Sequence, residues 1–318
     1  MLPAEIMRKI RLLELRTRRL VSETMAGRYQ SAFKGVGLNF EEVREYMPGD
    51  EVRMIDWNVT ARMHHPYVKK FTEERELTVM LLVDLSGSGL FGSTQQTKRE
   101  LAAEIASIMA FSAVHNNDKA GLVLFSDHVE RFVPPRKGRR HVLRVIREIL
   151  MHEPEGRGTD LTGALRFVSR VVHRRAIVVI LSDLMGQTTP SRRDIEAHLR
   201  RAAVMSHTLG QTPLAALRQA NRRHDVVAVQ IVDRFELVLP ALGRLMLKDA
   251  ETGETVEVDT GDPRRRRSFA ERQERAQAEL RELFQAAGID LIQLRTDESY
   301  IGPLARFFEM RERRRRHG

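Results

Sequence analysis

The sequence predicts an α/β protein in which a doubly wound, mostly parallel sheet is flanked by helices. Five apolar segments rich in β-branched residues have the length of buried strands, and amphipathic helical patterns separate them. Because strand and helix patterns alternate along the chain, the strands should run parallel, with helices covering both faces of the sheet.

The individual elements follow from local patterns. The predicted strands are residues 77–84, 119–126, 175–183, 225–233 and 289–296. The predicted helices are residues 97–115, 139–151, 160–174, 191–208, 264–287 and 300–314. Thr97 and Glu100 form the S/T-x-x-E pattern of a capping box, so a helix should begin at Thr97. Thr189 followed by Pro190 marks another helix start, because proline is favoured at the first helical position.

Two parts of the chain fall outside this alternation. Residues 1–76 combine an N-terminal helix with an extended, turn-rich region, and about residues 234–260 hold two short strands that predict an inserted β-hairpin. We therefore predict one domain over residues 1–76 and a second over residues 77–318. The N-terminal helix should present an apolar face formed by Ile6, Ile10, Leu13 and Leu20.

Composition limits the class of protein. The absence of cysteine excludes disulfides, thiolate zinc sites and a cysteine nucleophile. The longest apolar runs, residues 79–83 and 176–181, are far shorter than the roughly 20 residues of a spanning helix. Charges also interrupt the N-terminus where a signal peptide would have its apolar core. We therefore expect a cytoplasmic protein without a membrane span.

The net charge of +10 comes largely from arginine runs at residues 263–267 and 311–316. Such runs can bind phosphate backbones, so nucleic-acid binding is an alternative function. We favour solvated helix ends and a frayed tail, because no aromatic residues interleave the arginines as a single-strand-binding surface requires.

The segment VDLSGSGLFG contains two overlapping motifs. Residues 87–92 fit G-x-G-x-x-G, the phosphate-binding turn of dinucleotide folds, and residues 84–88 fit D-x-S-x-S, a set of hard oxygen ligands. A dinucleotide site needs its helix directly after the last glycine and an acidic residue about 20 positions onward. The predicted helix begins later, at Thr97, and the next strand-end carboxylate, Asp127, is too distant. The metal-site interpretation is therefore retained.

Oxygen-bearing residues at two strand ends and in one loop form the predicted site. Asp84, Ser86 and Ser88 follow a predicted strand, at the sheet edge where ligands of open α/β folds bind. A glycine-containing loop at residues 156–165 offers Thr159, Asp160 and Thr162, and Asp183 ends another strand. Mg²⁺ prefers six oxygens, so these groups and water should hold it, although Mn²⁺ or Ca²⁺ would also suit them.

Catalytic sites are not predicted. His64 and His65 lack a second pair of ligands for zinc. The chain has no G-x-S-x-G nucleophile elbow around the serines of the motif. Asp84 could serve as a phosphotransfer aspartate, but no acid or base at a fixed offset completes that chemistry. We therefore expect a protein that is not an enzyme.

Five of these residues resemble a known metal site, and the resemblance selects them as the ligands. Asp84-x-Ser86-x-Ser88, followed by Thr159 and Asp183, is similar to the metal-ion-dependent adhesion site of von Willebrand factor type A domains. The resemblance implies that the hydroxyls bind Mg²⁺ and that the aspartates bind it directly or through water. It also implies that a protein partner supplies an Asp or Glu carboxylate to the metal.

A second resemblance covers almost the whole chain. Residues 46–62, 69–88 and 247–254 resemble the bacterial family of the domain of unknown function 58, whose signature P-G-D-x-x-R-x-I-D-W-x-x-T-A-R occupies residues 48–62. Many members have N-terminal membrane helices, which this chain lacks. Members commonly accompany a MoxR-type AAA+ ATPase, which implies an adaptor or accessory role in the assembly or maturation of a client complex.

Trp57, the only tryptophan, lies inside this signature. We expect it to pack the N-terminal segment onto the sheet, although tryptophan is also enriched in binding hot spots. The charged neighbours Asp50, Arg53, Asp56 and Arg62 should form a buried ion-pair network rather than an active site.

Overall fold

The computed structural model describes residues 3–21, 25–33, 39–63, 65–72, 76–93, 96–185, 212–248 and 255–317. Within these ranges a six-stranded, mostly parallel sheet carries helices on both faces, which confirms the predicted fold class. None of the helices in these ranges is long and apolar enough to cross a membrane.

The N-terminal region precedes the sheet and consists of two helices, a two-stranded hairpin and a short helix within it. These elements are α1 (Pro3–Leu20), α2 (Ala26–Phe33), β1 (Asn39–Glu45), α3 (Trp57–Met63) and β2 (Tyr67–Thr72). The apolar face predicted for α1 is confirmed at Ile10, which is buried, and at Leu13 and Leu20, which pack against the core. Ile6 lies outside the described side chains.

The central sheet has the order β10-β7-β6-β3-β4-β5. Its strands are β3 (Thr78–Asp84), β4 (Lys119–Phe125), β5 (Val129–Arg136), β6 (Ile177–Ser182), β7 (Asp225–Val232) and β10 (Asp290–Arg295). All neighbours are parallel except β4 and β5. The five predicted strands are confirmed, each within two residues at either end.

The antiparallel strand β5 was not predicted. It contains Pro134 and Pro135, and proline cannot donate a hydrogen bond to the ladder of a sheet. The strand tolerates both prolines because it lies at the edge of the sheet and pairs with β4 alone.

Five predicted helices are also confirmed. They are α4 (Lys98–His115), α5 (Arg139–Met151), α6 (Leu161–Val171), α9 (Pro263–Ala286) and α10 (Ile301–His317). The capping box is present, since Thr97 Oγ1 accepts the Glu100 N–H at 3.2 Å and Glu100 Oε2 accepts the Thr97 N–H at 3.0 Å. The predicted helix over residues 191–208 and its Thr189–Pro190 start lie outside the described residues.

Two further helices and a hairpin complete the described chain. The helices α7 (Pro213–Arg223) and α8 (Arg234–Leu237) were not predicted, whereas the predicted hairpin is confirmed as β8 (Arg244–Lys248) and β9 (Thr255–Asp259). The turn between β8 and β9 lies outside the described residues.

Both faces of the sheet are buried. Along β3, Val79, Leu81 and Val83 belong to the core on the α4 face, whereas Met80 and Leu82 belong to the core on the α6 face. This double coverage explains why the strand is apolar without alternation. On the first face, α1 and α2 cover the outer side of α4, so α4 is buried around most of its circumference.

The predicted role of Trp57 is wrong. Its side chain, at the start of α3, is 66% exposed. The predicted buried ion-pair network is also wrong, because Arg53 and Arg62 are exposed. The carboxylates of the signature instead stabilise local turns. Asp50 accepts the Met47 N–H at 2.9 Å and pairs with Arg44, and Asp56 accepts the Asn58 N–H at 2.9 Å at the start of α3.

The arginine runs differ from each other. Arg264, Arg265 and Arg267 are exposed at the start of α9, as predicted for a solvated helix end. The predicted frayed tail is wrong at Arg311, because this side chain is 15% exposed and pairs with carboxylates at the starts of β7 and β10.

His224 is an unusual buried group at the end of α7. It is fully buried, and neither ring nitrogen has a hydrogen-bond partner among the described residues. Burial lowers the pKa of His224 to about 4, and the nearby Arg223 and Arg175 add to this effect. The folded protein therefore holds this imidazole neutral at pH values where the unfolded chain already binds a proton.

We expect acid to destabilise the wild type more than a His224→Gln variant. Stability from the neutral imidazole is complete above the unfolded pKa of about 6.5 and is lost as the pH falls toward 4. Between pH 7 and pH 5 the wild type should lose roughly 2 kcal/mol relative to the variant in urea unfolding. Burial raises the pKa of Asp84 and of Asp118 to about 6, so their protonation in acid stabilises the folded state. This opposite effect is the same in the wild type and in His224→Gln. Parallel pH profiles would contradict the prediction.

Candidate metal centre

The carboxyl ends of two neighbouring strands form the candidate site. Because β3 and β6 are parallel partners, Asp84 and the pair Ser182–Asp183 lie at the same edge of the sheet. All three side chains are buried.

Asp84 is held by three hydrogen bonds. Its Oδ2 accepts the Ser182 hydroxyl at 2.6 Å and the Thr159 hydroxyl at 3.4 Å, and its Oδ1 accepts the Ser86 N–H at 2.8 Å. Burial raises the pKa of Asp84 to about 6, although the Ser182 hydrogen bond opposes this and the nearby Asp183 carboxylate adds to it. The carboxylate is thus fixed in orientation and destabilised as an anion, so a bound cation would stabilise it.

The two serines of the motif share one turn. Ser86 Oγ and Ser88 Oγ lie 3.0 Å apart, and a 3₁₀ turn over Gly87–Leu90 follows Ser86. Gly87 N–H donates to the Arg157 carbonyl at 3.1 Å, which joins this turn to the loop that carries Thr159. The predicted ligands Asp84, Ser86, Ser88 and Thr159 are therefore connected to one another.

Gly156 allows the Thr159 loop to pass close to the end of β4. A Cβ atom at Gly156 would lie 2.2 Å from Asp127 Oδ1 and 2.4 Å from Ser126 Oγ. The loop passes this closely over the end of β4 because Asp160 N–H also donates to the Ser126 carbonyl at 2.6 Å. The close approach holds Thr159 beside Asp84.

Asp183, the fifth predicted ligand, has different partners. Its Oδ2 accepts the Lys98 ammonium at 2.7 Å, and its Oδ1 accepts the Met185 N–H at 3.1 Å. Lys98 also donates to Glu236 Oε1 at 2.5 Å. Asp183 therefore lies near Asp84 but belongs to a buried carboxylate–ammonium–carboxylate cluster.

Three residues of the site were missed by sequence reasoning. Ser182 directly precedes Asp183, so its position at a strand end was a usable signal. Lys98 occupies the first helical position of α4, where the helix dipole disfavours a cation. Glu236 belongs to the short helix α8, and no local pattern around it indicates its contact with Lys98.

The described residues fit a small, hard cation. A cavity of about 20 Å³ is lined by Asp84, Ser86, Ser88, Lys98 and Asp183 among others, which is room for a single ion or water molecule. The described part of the chain holds no cluster of three His, Asp or Glu side chains able to bind a metal. The oxygen set therefore depends on hydroxyl groups beside Asp84, which is compatible with Mg²⁺.

Comparison with known proteins assigns the chain to a family. Residues 42–209 and 196–279 match the family described as "Protein of unknown function DUF58". The chain belongs to this family. The predicted membership is thereby confirmed.

Relatives of this DUF58 protein include the uncharacterized protein Rv1480 of Mycobacterium tuberculosis. It is 31% identical over 306 residues, which cover 96% of this chain and 89% of the relative. The uncharacterized protein YeaD of Bacillus subtilis is 30% identical over 107 residues, or 34% of this chain and 25% of YeaD.

Two solved structures match this chain at low identity. An aerotolerance-related membrane protein from Bacteroides fragilis is 14% identical, with a TM-score of 0.45 over 75% of this chain and 99% of the other. The SpRpn10 VWA domain is 11% identical, with a TM-score of 0.38 over 72% and 94% of the two chains.

Proposed function

We propose that this protein is a non-enzymatic, Mg²⁺-dependent protein-binding module. The observation that carries the proposal is the hydrogen-bonded connection of Asp84, Ser86, Ser88 and Thr159, in which Asp84 and both serines line a cavity of ionic size. These four residues would hold the ion, and Asp183 would contribute directly or through water. When bound, Mg²⁺ supplies an electrophilic centre for an Asp or Glu carboxylate of a partner protein, and Mn²⁺ or Ca²⁺ could serve the same purpose.

The surrounding residues support binding rather than catalysis. Ser182 and the Ser86 N–H fix the Asp84 carboxylate, and the Thr159 loop positions a third hydroxyl beside it. No histidine is among the described residues that line the cavity. Such a fixed oxygen set reduces the ordering cost of binding an ion.

The partner we propose is a MoxR-type AAA+ ATPase, with this protein as its adaptor for assembly or maturation of a client complex. The support is the resemblance noted in the sequence, and it is independent of the metal site. Co-purification with such an ATPase, or a change in its ATPase rate on addition of this protein, tests the pairing. Absence of both effects counts against it.

We expect Asp84→Ala to weaken Mg²⁺ binding by about a hundredfold or more, because the variant removes the buried carboxylate that the other ligands surround. Isothermal titration calorimetry in metal-free buffer measures this. Asp127→Ala is a matched control, since Asp127 follows the neighbouring strand β4 but its side chain is 57% exposed. Equal Mg²⁺ affinity in the wild type and Asp84→Ala would reject the metal site, and partner capture that persists in EDTA would reject metal dependence.

A further inference from the structure

Lys98 carries a positive charge into the candidate metal centre. We infer that its ammonium is a built-in counter-ion, which competes with a divalent cation for Asp183 and lowers the metal affinity of the site. This inference concerns the regulation of the site and rests on the proposed function.

The position of Lys98 is unfavourable for a cation in two respects. It is the first residue of the 18-residue helix α4, where the helix dipole favours negative charge. Its side chain is only 3% exposed, and burial of a charge is costly unless the charge is paired. The carboxylates of Asp183 and Glu236 pair with the ammonium and offset both costs.

The ammonium of Lys98 is paired on two sides. Its Nζ lies 2.7 Å from Asp183 Oδ2 and 2.5 Å from Glu236 Oε1, so both carboxylates stabilise its positive charge. The ammonium lines the same small cavity as Asp84, Ser86 and Ser88. A divalent cation in that cavity would therefore be close to a fixed positive charge, and the two would repel each other.

Asp183 cannot bind the Lys98 ammonium and a divalent metal ion equally well at the same time. One oxygen accepts the Lys98 ammonium and the other accepts the Met185 N–H, as described above. Coordination by Asp183 would require Lys98 to move toward its second partner, Glu236. That second partner is itself held in place, because Glu236 Oε2 accepts the Asp233 N–H at 3.0 Å in the capping box of α8.

The test is the Lys98→Met variant, which keeps the aliphatic length and removes the charge. In EDTA it should melt several °C below the wild type, because the buried Asp183 and the half-buried Glu236 lose their counter-ion. Mn²⁺ should raise its Tm more than that of the wild type. Calorimetric titration with Mn²⁺ should give an affinity at least about tenfold tighter than the wild type. Lys9→Met is the control, since Lys9 also pairs with a carboxylate on α4 but is 41% exposed, and its affinity should not change.

The outcomes separate this inference from the proposed function. Equal or weaker Mn²⁺ binding by Lys98→Met, with normal binding by the wild type, overturns the inference and leaves the proposed function standing. Binding by Lys98→Met without binding by the wild type supports the inference and rejects metal-dependent capture by the wild type. Absence of binding in both overturns both.

A second variant covers the case in which Lys98→Met does not fold. Glu236→Gln leaves the ammonium with Asp183 as its remaining carboxylate partner in the cluster, so its Mn²⁺ affinity should fall below that of the wild type. Unchanged or tighter binding by Glu236→Gln would overturn the inference. The two variants thus change the affinity in opposite directions.

Discussion

Replacing Phe308 with alanine is expected to lower the free energy of unfolding by about 3–5 kcal/mol. Phe308 lies on α10 and is fully buried. Its ring packs edge-on against Phe33 of α2 at 6.0 Å between centroids, and it also contacts Phe307 at 5.5 Å. The substitution would leave a cavity between the N-terminal and C-terminal helices, where the fixed sheet limits collapse. Urea unfolding followed by circular dichroism measures the loss.

Met310→Ala is the matched control for Phe308→Ala. Met310 lies on the same helix but is 38% exposed, so its removal should cost less than about 1 kcal/mol. Equal losses in the two variants would contradict the packing described here.

Phe33 belongs to the same buried cluster as the β3 side chains. We therefore propose that the regions 1–76 and 77–318 unfold in one transition, and two separate transitions would oppose this.

The sheet was predictable because its strands are buried on both faces. Such strands are short apolar runs, and runs of this kind are detected without long-range information. The missed elements have weak local signals. Strand β5 contains two prolines. Helix α7 buries only Ala216, Leu217 and Ala220, so its apolar pattern is faint, although Thr212 and Pro213 offered a helix-start signal.

The candidate site likewise contains residues that the sequence predicts and contacts that it does not. Asp84, Ser86 and Ser88 form a contiguous motif, so the sequence alone suggests their shared function. Lys98 meets Asp183 and Glu236 across long stretches of chain, and the contact depends on how α4 and α8 sit at the sheet edge. Local patterns carry no information about such a contact.

Trp57 shows a different limit of sequence reasoning. A large apolar side chain predicts burial on average, but it does not specify what covers it. Here helices already cover both faces of the sheet. Within the signature, Asp50, Asp56 and Thr60 form local hydrogen bonds that stabilise its turns. Trp57 is left at the surface of α3.

Arg311 joins the C-terminal helix α10 to the core of the protein. Its guanidinium pairs with Asp225 at the start of β7 and with Asp290 at the start of β10, the latter at 3.2 Å. It also lies over the rings of Phe33 and Phe307, at 4.8 and 5.6 Å from their centroids. One side chain therefore connects α10, α2 and two strands. Its neighbour Arg314 shares the contact with Asp290, at 2.6 Å.

We expect Arg311→Met to lower the free energy of unfolding by roughly 3 kcal/mol, because the largely buried Asp225 carboxylate loses its ion pair and the aromatic contacts are weakened, whereas Asp290 keeps Arg314. Arg313→Met removes the same charge from an exposed position and should leave stability within about 0.5 kcal/mol of the wild type. Urea unfolding measures both. If instead the run serves nucleic acid, both variants should lose retention on heparin to a similar extent, with no selective loss of stability. A wild-type stability for Arg311→Met would show that its ion pairs do not hold the tail to the sheet.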